Sequence, residues 1–285
     1  MRWTPGRMSR NIEDRRGARG GGIGMMGPGM GIGGLVLLVL SLVFGQNLLE
    51  ETGEAPVTST ADGVVNSDSL DRTPEERRVR QFVSFVLDDA QETWARVLPR
   101  YGTQYRDAKL VLFRQGVRTA CGDMPSAAGP FYCPRDETAY LDLGFYDDLR
   151  RRFGAPGDFA QAYVLAHEIG HHVQHVLGTD TRVRQVQQSR PGMANELSVR
   201  MELQADCYAG IWAHSTQQRR LLDAGDVEEG LGAAAAVGDD RIQEQTTGMV
   251  RPESFTHGSS AQRMEWFKRG FQSGSPDACD TFRGA

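Results

Sequence analysis

Lysine is scarce in this 285-residue sequence and one long stretch has no charged residue, and both features limit the classes of protein it can belong to. Lysine occurs only at Lys109 and Lys268, so arginine supplies nearly all of the positive charge. Residues 1–49 contribute a net charge of +4 to a total of −5, which leaves −9 on the remainder. An acidic body argues against a nucleic-acid-binding surface, so we expect no nucleic-acid partner. No internal repeat is visible.

Charge is also absent from Gly20 to Leu49. The first half of this stretch is rich in glycine, and the second half, Leu35 to Phe44, is densely apolar. A membrane-spanning helix needs about 20 residues of low polarity. We therefore predict a transmembrane anchor at residues 25–48. A cleaved signal peptide is the alternative, but the long leader and the lack of a small-x-small site soon after Phe44 favour the anchor.

The flanking charges predict how such an anchor would be oriented. Arginines precede it and glutamates follow it, which places a basic, glycine-rich N-terminus (residues 1–24) in the cytoplasm. The body would then lie on the extracytoplasmic side of a bacterial cytoplasmic membrane. Residues 49–72 are polar and aperiodic and predict a flexible linker. Residues 73–285 form the predicted domain.

The four cysteines contain no C-x-x-C pair, which disfavours a zinc site made of thiolates. Cys121 and Cys133 bracket a short loop, and Cys207 and Cys279 remain as a long-range pair. An even number in an extracytoplasmic domain predicts two disulfides. Four buried free thiols are the alternative and would suit a cytosolic body.

The hydrophobic pattern predicts an α+β fold that is mostly helical with a small β-sheet. Two strands are expected, at residues 108–113 and 138–142. Residues 179–194 are polar and are expected to form a loop. Asp158 is expected to cap the helix that precedes this loop, and Gly178 to end it. The other helices are predicted from Thr73 to Leu98, Phe145 to Phe153, Glu196 to His214, Asp226 to Ala236 and Ala261 to Phe271.

The histidines are concentrated in one helical segment, where four of the six fall between His167 and His175. His167 and His171 are four residues apart on a helix and can bind one metal ion together. Glu168 beside them is not a ligand in such a motif but takes a proton from metal-bound water. His172 is expected to be a packing or surface residue, and His175 a structural one.

A catalytic zinc needs a third protein ligand. Gln174 and Leu177 occupy the positions where a metzincin has glycine and histidine, so that class is excluded. Glu202 lies in a largely apolar predicted helix, with Asp206 on the same face. Burying two carboxylates there is costly unless cations or donors meet them. We expect Glu202 to bind the metal and Asp206 to accept the outer N–H of a ligand histidine. A solvated surface pair near Arg200 is the alternative.

The two motifs His167-Glu-Ile-Gly-His171 and Glu202-Leu-Gln-Ala-Asp206 resemble the gluzincin metallopeptidases. The chain is more closely similar to a bacterial membrane-anchored family of neutral zinc metallopeptidases. The matching stretches cover nearly the whole chain except residues 50–72, and include Gly129–Pro134, Ser198–Gly210 and Phe255–Arg263. The resemblance implies a zincin-like domain with one Zn²⁺ per chain, acting on peptide or unfolded protein.

The expected reaction is peptide-bond hydrolysis with Glu168 as the general base, and the expected setting is protein quality control in the cell envelope. The developing oxyanion needs a further donor, for which His257 and Tyr208 are candidates, and Arg263 could brace the site. Helix capping or a core position is an equally good interpretation of His257. Substrate is expected to add as a strand along the sheet edge, with Thr138–Asp142 as the predicted edge.

Two other functions stay open from the sequence. One is a binding or chaperone-like protein that keeps the zinc fold with little proteolysis, although such a scaffold has no need of Glu168. The other is a zinc amidase acting on cell-wall material, although no wall-binding repeat is present. The sequence does not determine the oligomeric state.

Overall fold

The computed structural model describes residues 1–17, 70–114, 116–125 and 129–283. The predicted anchor and most of the predicted linker lie outside these ranges. No helix in the described ranges is both long enough and apolar enough to cross a membrane.

The described chain is mostly helical with a small sheet, as predicted. The strands are β1 (Ile12–Asp14), β2 (Lys109–Phe113), β3 (Gly116–Thr119), β4 (Gly122–Pro125), β5 (Phe131–Cys133) and β6 (Thr138–Asp142). The helices are α1 (Pro74–Val97), α2 (Phe145–Arg151), α3 (Asp158–Val176), α4 (Thr179–Ser189), α5 (Ala194–Gln218), α6 (Asp226–Ala236), α7 (Asp239–Thr247) and α8 (Ser260–Ser273).

Four strands form one sheet in the order β1-β2-β6-β5, with β1, β2 and β6 parallel and β5 antiparallel to β6. The prediction that Thr138–Asp142 is an edge strand is therefore wrong, because β6 is hydrogen-bonded on both sides. β5 lies at that edge instead. Sequence pattern does not reveal this, since a fully buried strand looks the same at an edge and in the centre.

Side-chain alternation gives the sheet two buried faces. Leu110 and Leu112 pack against the helices, whereas Val111 and Phe113 face the β3–β4 hairpin. The predicted disulfides are both present. Cys121–Cys133 joins the hairpin to β5, and Cys207–Cys279 joins α5 to the C-terminal segment.

Residues 1–17 are part of this fold, whereas the sequence predicted a separate N-terminal segment at residues 1–24. β1 pairs with β2 in register, with Glu13 opposite Val111. Trp3 packs against Phe82 with ring centroids 5.2 Å apart. Residues 12–14 therefore lie on the same side of any membrane as β2.

The end of the predicted linker is also part of the fold. The side chain of Asp71 is buried and forms ion pairs with Arg16 at 2.8 Å and Arg80 at 2.9 Å. Arg16 thus meets two charged groups near the start of α1, the nearer of them 55 residues away in the sequence. Spacing alone could not have predicted this network.

Several helix boundaries differ from the predictions for identifiable reasons. The segment expected to be a loop contains α4, because Val183 and Gln187 are buried and Val183 packs on Leu197 and Met201 of α5. Gly157, not Asp158, occupies the N-cap of α3. The Asp158 carboxylate instead accepts from the N-terminal ammonium of Met1 at 3.1 Å. Helix α7 was not predicted. Gly178, at φ +70°, follows α3 as expected.

Candidate metal centre

Helices α3 and α5 carry the candidate ligands and approach each other closely. A Cβ atom at Gly170 would lie 2.9 Å from the carbonyl oxygen of Ala205, so only glycine permits this separation. The contact brings His167 and His171 of α3 opposite Glu202 of α5. The glycine inside the histidine motif is thus what allows the two helices to form one site.

The three predicted ligands converge. His167 Nε2 lies 3.1 Å from Glu202 Oε2, and His171 Nε2 lies 3.4 Å from Glu202 Oε1. One donor atom from each residue lies within 4.8 Å of the others, a separation that could hold a metal ion. The site is nearly closed to solvent, with side-chain exposures of 8%, 18% and 12% in the order His167, His171, Glu202.

The opposite ring nitrogens are both engaged by acceptors. His167 Nδ1 is 2.9 Å from Asp206 Oδ1, and His171 Nδ1 is 2.9 Å from Gln174 Oε1. A carboxylate and an amide oxygen only accept, so each Nδ1 carries the hydrogen. Each Nε2 faces the Glu202 carboxylate, which also only accepts. Burial lowers the pKa of His167, but Asp206 and Glu202 outweigh it and raise the pKa to about 10, so a proton or a cation must lie between Nε2 and Glu202. A bound divalent cation such as Zn²⁺ would replace that proton and take two imidazole nitrogens and one carboxylate as ligands.

Asp206 is fully buried among three donors, as expected for a carboxylate that fixes a ligand histidine. Arg263 donates from Nε at 2.8 Å and from Nη2 at 2.9 Å, and the Tyr163 hydroxyl donates to Oδ1. Burial by itself raises the pKa of Asp206, but Arg263 and His167 outweigh it and lower the pKa. Asp206 therefore stays ionised and orients His167. The sequence indicated Arg263 as a brace, whereas Tyr163 was missed.

The carboxylates of the site differ in their ionisation. Burial would raise the pKa of Glu202, but His171 and His167 lower it well below its ordinary value. Glu168 is buried next to the ligands, and burial raises its pKa despite the opposing effect of the two imidazoles. A raised carboxyl pKa suits a group that both accepts and returns a proton near neutral pH.

The two candidate oxyanion donors lie in different places. His257 is held by Asp239, which accepts from its Nδ1 at 3.1 Å and from its backbone N–H at 2.6 Å. Its charge also lowers the pKa of Glu202. Tyr208 packs in the core against Trp94, with ring centroids 5.1 Å apart. Of the two, only His257 remains a candidate.

The remaining histidines of the cluster are structural. His172 is fully buried, with Nδ1 2.8 Å from the Tyr132 hydroxyl and Nε2 2.6 Å from the Arg106 carbonyl oxygen. A carbonyl only accepts, so Nε2 carries the hydrogen and the ring ties α3 to strand β5. His175 lies 2.8 Å from Asp180 of α4. Both outcomes agree with the roles expected for them.

Besides Tyr163, two functional neighbours were missed from the sequence. Gln174 lies three residues after His171, and this spacing on one helix face was available as a signal. Asp239 precedes His257 by 18 residues in the unpredicted helix α7, and no sequence feature connected them. A second acidic group, Asp158, Asp226 and Glu229, also comes together in the described residues, and two of its members pair with the Met1 ammonium.

Comparison with known proteins agrees with this geometry. The model of a family described as "putative neutral zinc metallopeptidase" matches residues 1–282. The chain belongs to this family. The match includes residues 1–17, which the structure places inside the domain.

Similar proteins occur in Escherichia coli and Mycobacterium tuberculosis. The uncharacterized protein YpfJ of Escherichia coli K12 is 50% identical over 288 residues, which cover 99% of both chains. The uncharacterized protein Rv2575 of Mycobacterium tuberculosis H37Rv is 47% identical over 203 residues, or 67% of each chain. No solved structure matches the chain.

Proposed function

We propose that the protein is a zinc-dependent endopeptidase in which His167, His171 and Glu202 hold one Zn²⁺ ion. The observation that supports this most strongly is the orientation of the two imidazoles. Both direct Nε2 toward Glu202 while Asp206 and Gln174 occupy the two Nδ1 positions. Zinc in this site would polarise a carbonyl oxygen and make water more acidic.

The residues of the chain supply the proton transfers. Glu168 adjoins His167 in sequence and is almost fully buried, so its carboxylate can take the proton of the attacking water and return it to the leaving nitrogen. His257 is the candidate donor to the developing oxyanion, oriented by Asp239. A protein that merely kept the zinc fold would need no buried carboxylate at position 168.

We further propose that the substrate lies along β5. This strand is at the edge of the sheet beyond β6, and the Tyr132 hydroxyl links it to His172 of the motif helix. An extended peptide could add to such an edge by main-chain hydrogen bonds. This arrangement favours a peptide substrate over a compact non-peptide amide.

The function is tested on the full chain, because residues 1–17 belong to the domain. We expect one zinc per chain and cleavage of casein or a peptide library by the wild type. The Glu168→Gln variant should keep the zinc and lose cleavage by a factor of about 10² or more. Glu265→Gln changes an exposed glutamate of α8 and is the matched control, expected to keep both.

Other outcomes would contradict the proposal in distinguishable ways. A folded wild-type chain without zinc would exclude the site assignment. Zinc with cleavage of cell-wall material and none of protein or peptide would support the amidase hypothesis. Zinc with no cleavage of any of these substrates would support the scaffold hypothesis.

We also propose that the domain is extracytoplasmic. Two disulfides among the described residues are typical of an oxidising compartment. The β1–β2 pairing requires residues 1–17 to lie on the same side as the domain. A membrane-impermeant maleimide should therefore label an Arg10→Cys chain in intact cells from which the outer membrane has been removed. Labelling only after lysis would oppose this location.

A further inference from the structure

The two ligand histidines are held by different kinds of partner. His167 is oriented by the Asp206 carboxylate, whereas His171 is oriented by the neutral amide of Gln174. Asp206 is fixed in turn by Arg263 and Tyr163. Gln174 is held by residues of α5 that do not bind the metal.

Gln174 is fully buried and every hydrogen-bonding position on its amide nitrogen is used. Its Nε2 donates to the Met201 carbonyl at 2.7 Å and to Gln204 Oε1 at 3.1 Å. This fixes which end of the amide is oxygen, and the oxygen is the atom that meets His171 Nδ1. Rotating the amide would place two donors against each other, so the orientation of Gln174 depends on its partners on α5.

Gln204 extends the chain of amides to the C-terminal segment. Its Nε2 donates at 3.0 Å to the carbonyl oxygen of Cys279, the residue that is disulfide-bonded to Cys207. Arg200 donates to the Thr281 carbonyl at 3.0 Å, and the Thr281 hydroxyl donates to the Arg200 carbonyl at 2.7 Å. The segment is thus bound along one face of α5, at Arg200, Gln204 and Cys207.

We propose that Gln174 and Gln204 are positioning residues for the metal ligand His171, and that the Cys207–Cys279 disulfide secures the far end of this connection. The inference rests on the proposed metal site. In chain order the contacts run from His171 Nδ1 to Gln174, from Gln174 to Gln204, and from Gln204 to the carbonyl of Cys279. A neutral amide orients the imidazole without adding a further negative charge beside Glu168, Glu202 and Asp206.

The test measures the zinc dissociation constant of the full chain by competition with a chromophoric chelator. Outer partners of metal ligands typically contribute about 10–100-fold in affinity. We expect Gln174→Met to weaken zinc binding within that range, and Gln204→Met to weaken it by about tenfold. The double variant should bind no more weakly than Gln174→Met alone, because the second change acts only through the first.

The second disulfide provides a matched control. Cys207→Ala/Cys279→Ala should weaken zinc binding about as much as Gln204→Met, whereas Cys121→Ala/Cys133→Ala, which lies on the sheet, should leave the affinity unchanged. The ligand-field bands of Co²⁺ should shift in the first variant and not in the second. Circular dichroism checks folding, and if the first pair does not fold, the Gln204→Met variant decides.

The possible failures are distinct. Unchanged zinc affinity in both glutamine variants, with His171→Ala abolishing binding, overturns this inference and leaves the proposed metal site intact. Additive losses in the double variant overturn the connection between the two glutamines. A wild-type chain that binds no zinc removes the proposed site and the inference together.

Discussion

Arg16 offers a direct test of whether the N-terminal segment belongs to the domain. Its side chain is completely buried, with Nη2 at 2.6 Å from Asp14 and 2.8 Å from Asp71. Burial alone would lower the pKa of Arg16, but these two carboxylates raise it above its ordinary value. Asp71 has a second partner in Arg80. Replacing Arg16 by methionine keeps most of the volume and removes only the cation.

The size of the effect follows from burial. Removing one member of a buried ion pair leaves an uncompensated charge and costs about 3–5 kcal/mol, against 1 kcal/mol or less, roughly, for a surface pair. Asp71 keeps Arg80, so we expect Arg16→Met to cost about 3 kcal/mol. In a domain of this size each kcal/mol lowers the melting temperature by about 2–4 °C. The expected decrease is therefore about 6–12 °C.

The assay is thermal unfolding of the full chain, followed by circular dichroism. Arg10→Met is the control, since Arg10 lies in the same segment but is exposed, and it should change stability by less than about 0.5 kcal/mol. Equal melting temperatures for the two variants would refute the reasoning. That result would mean that residues 1–17 do not pack on the domain, and the predicted separate N-terminal unit would be restored.

Two further predictions concern the site. Gly170→Ala should lower the free energy of unfolding by about 1–3 kcal/mol, measured with denaturant, because its methyl group would meet the backbone of Ala205. Gly232→Ala, in open space on α6, is the control and should be neutral or slightly stabilising. Equal effects of the two substitutions would contradict the close helix contact. Burial lowers the pKa of His257, but Asp239 and Glu202 outweigh it and raise it. The stabilisation by His257 is therefore full below its ordinary pKa of 6.5 and is lost as pH rises through the raised value. The difference in unfolding free energy between wild type and His257→Gln should therefore shrink as the pH rises above 6.5, and a constant difference would contradict the prediction.

Much of the fold was predictable because local chemistry determines it. Thr73, where the sequence predicted the first helix to begin, caps α1 by accepting from the Glu76 backbone N–H at 3.1 Å. The errors arose where tertiary contacts decide. Val183 is a single buried apolar residue in a polar segment, and only its partners on α5 make α4 a packed helix. Residues 1–17 were assigned by charge, whereas their place is set by strand pairing and the Arg16 network.

The ligands of the site were predictable for a similar reason. His167 and His171 share one helix face, as do Glu202 and Asp206, and four-residue spacing is visible in any sequence. The partners of those groups were harder to predict. Asp239 at the start of α7 meets His257 in the segment before α8, and Gln204 meets Gln174 across a helix interface. Such pairs cannot be read from periodicity, because residues on different elements have no fixed separation in the sequence.

Helix α5 explains why the site is built from two short motifs and yet depends on the whole domain. Its Glu202 faces the Nε2 atoms, its Asp206 fixes His167, and its Gln204 connects to the amide that fixes His171. On the opposite side α8 crosses it so closely that a Cβ at Gly270 would lie 1.9 Å from the Cys207 carbonyl oxygen. That crossing is what brings Arg263 to Asp206. The orientation of both imidazoles therefore depends on contacts made by a single helix with α3, α8 and the C-terminal segment. A substitution that shifts α5 should therefore change the metal affinity even when all three ligand residues are kept.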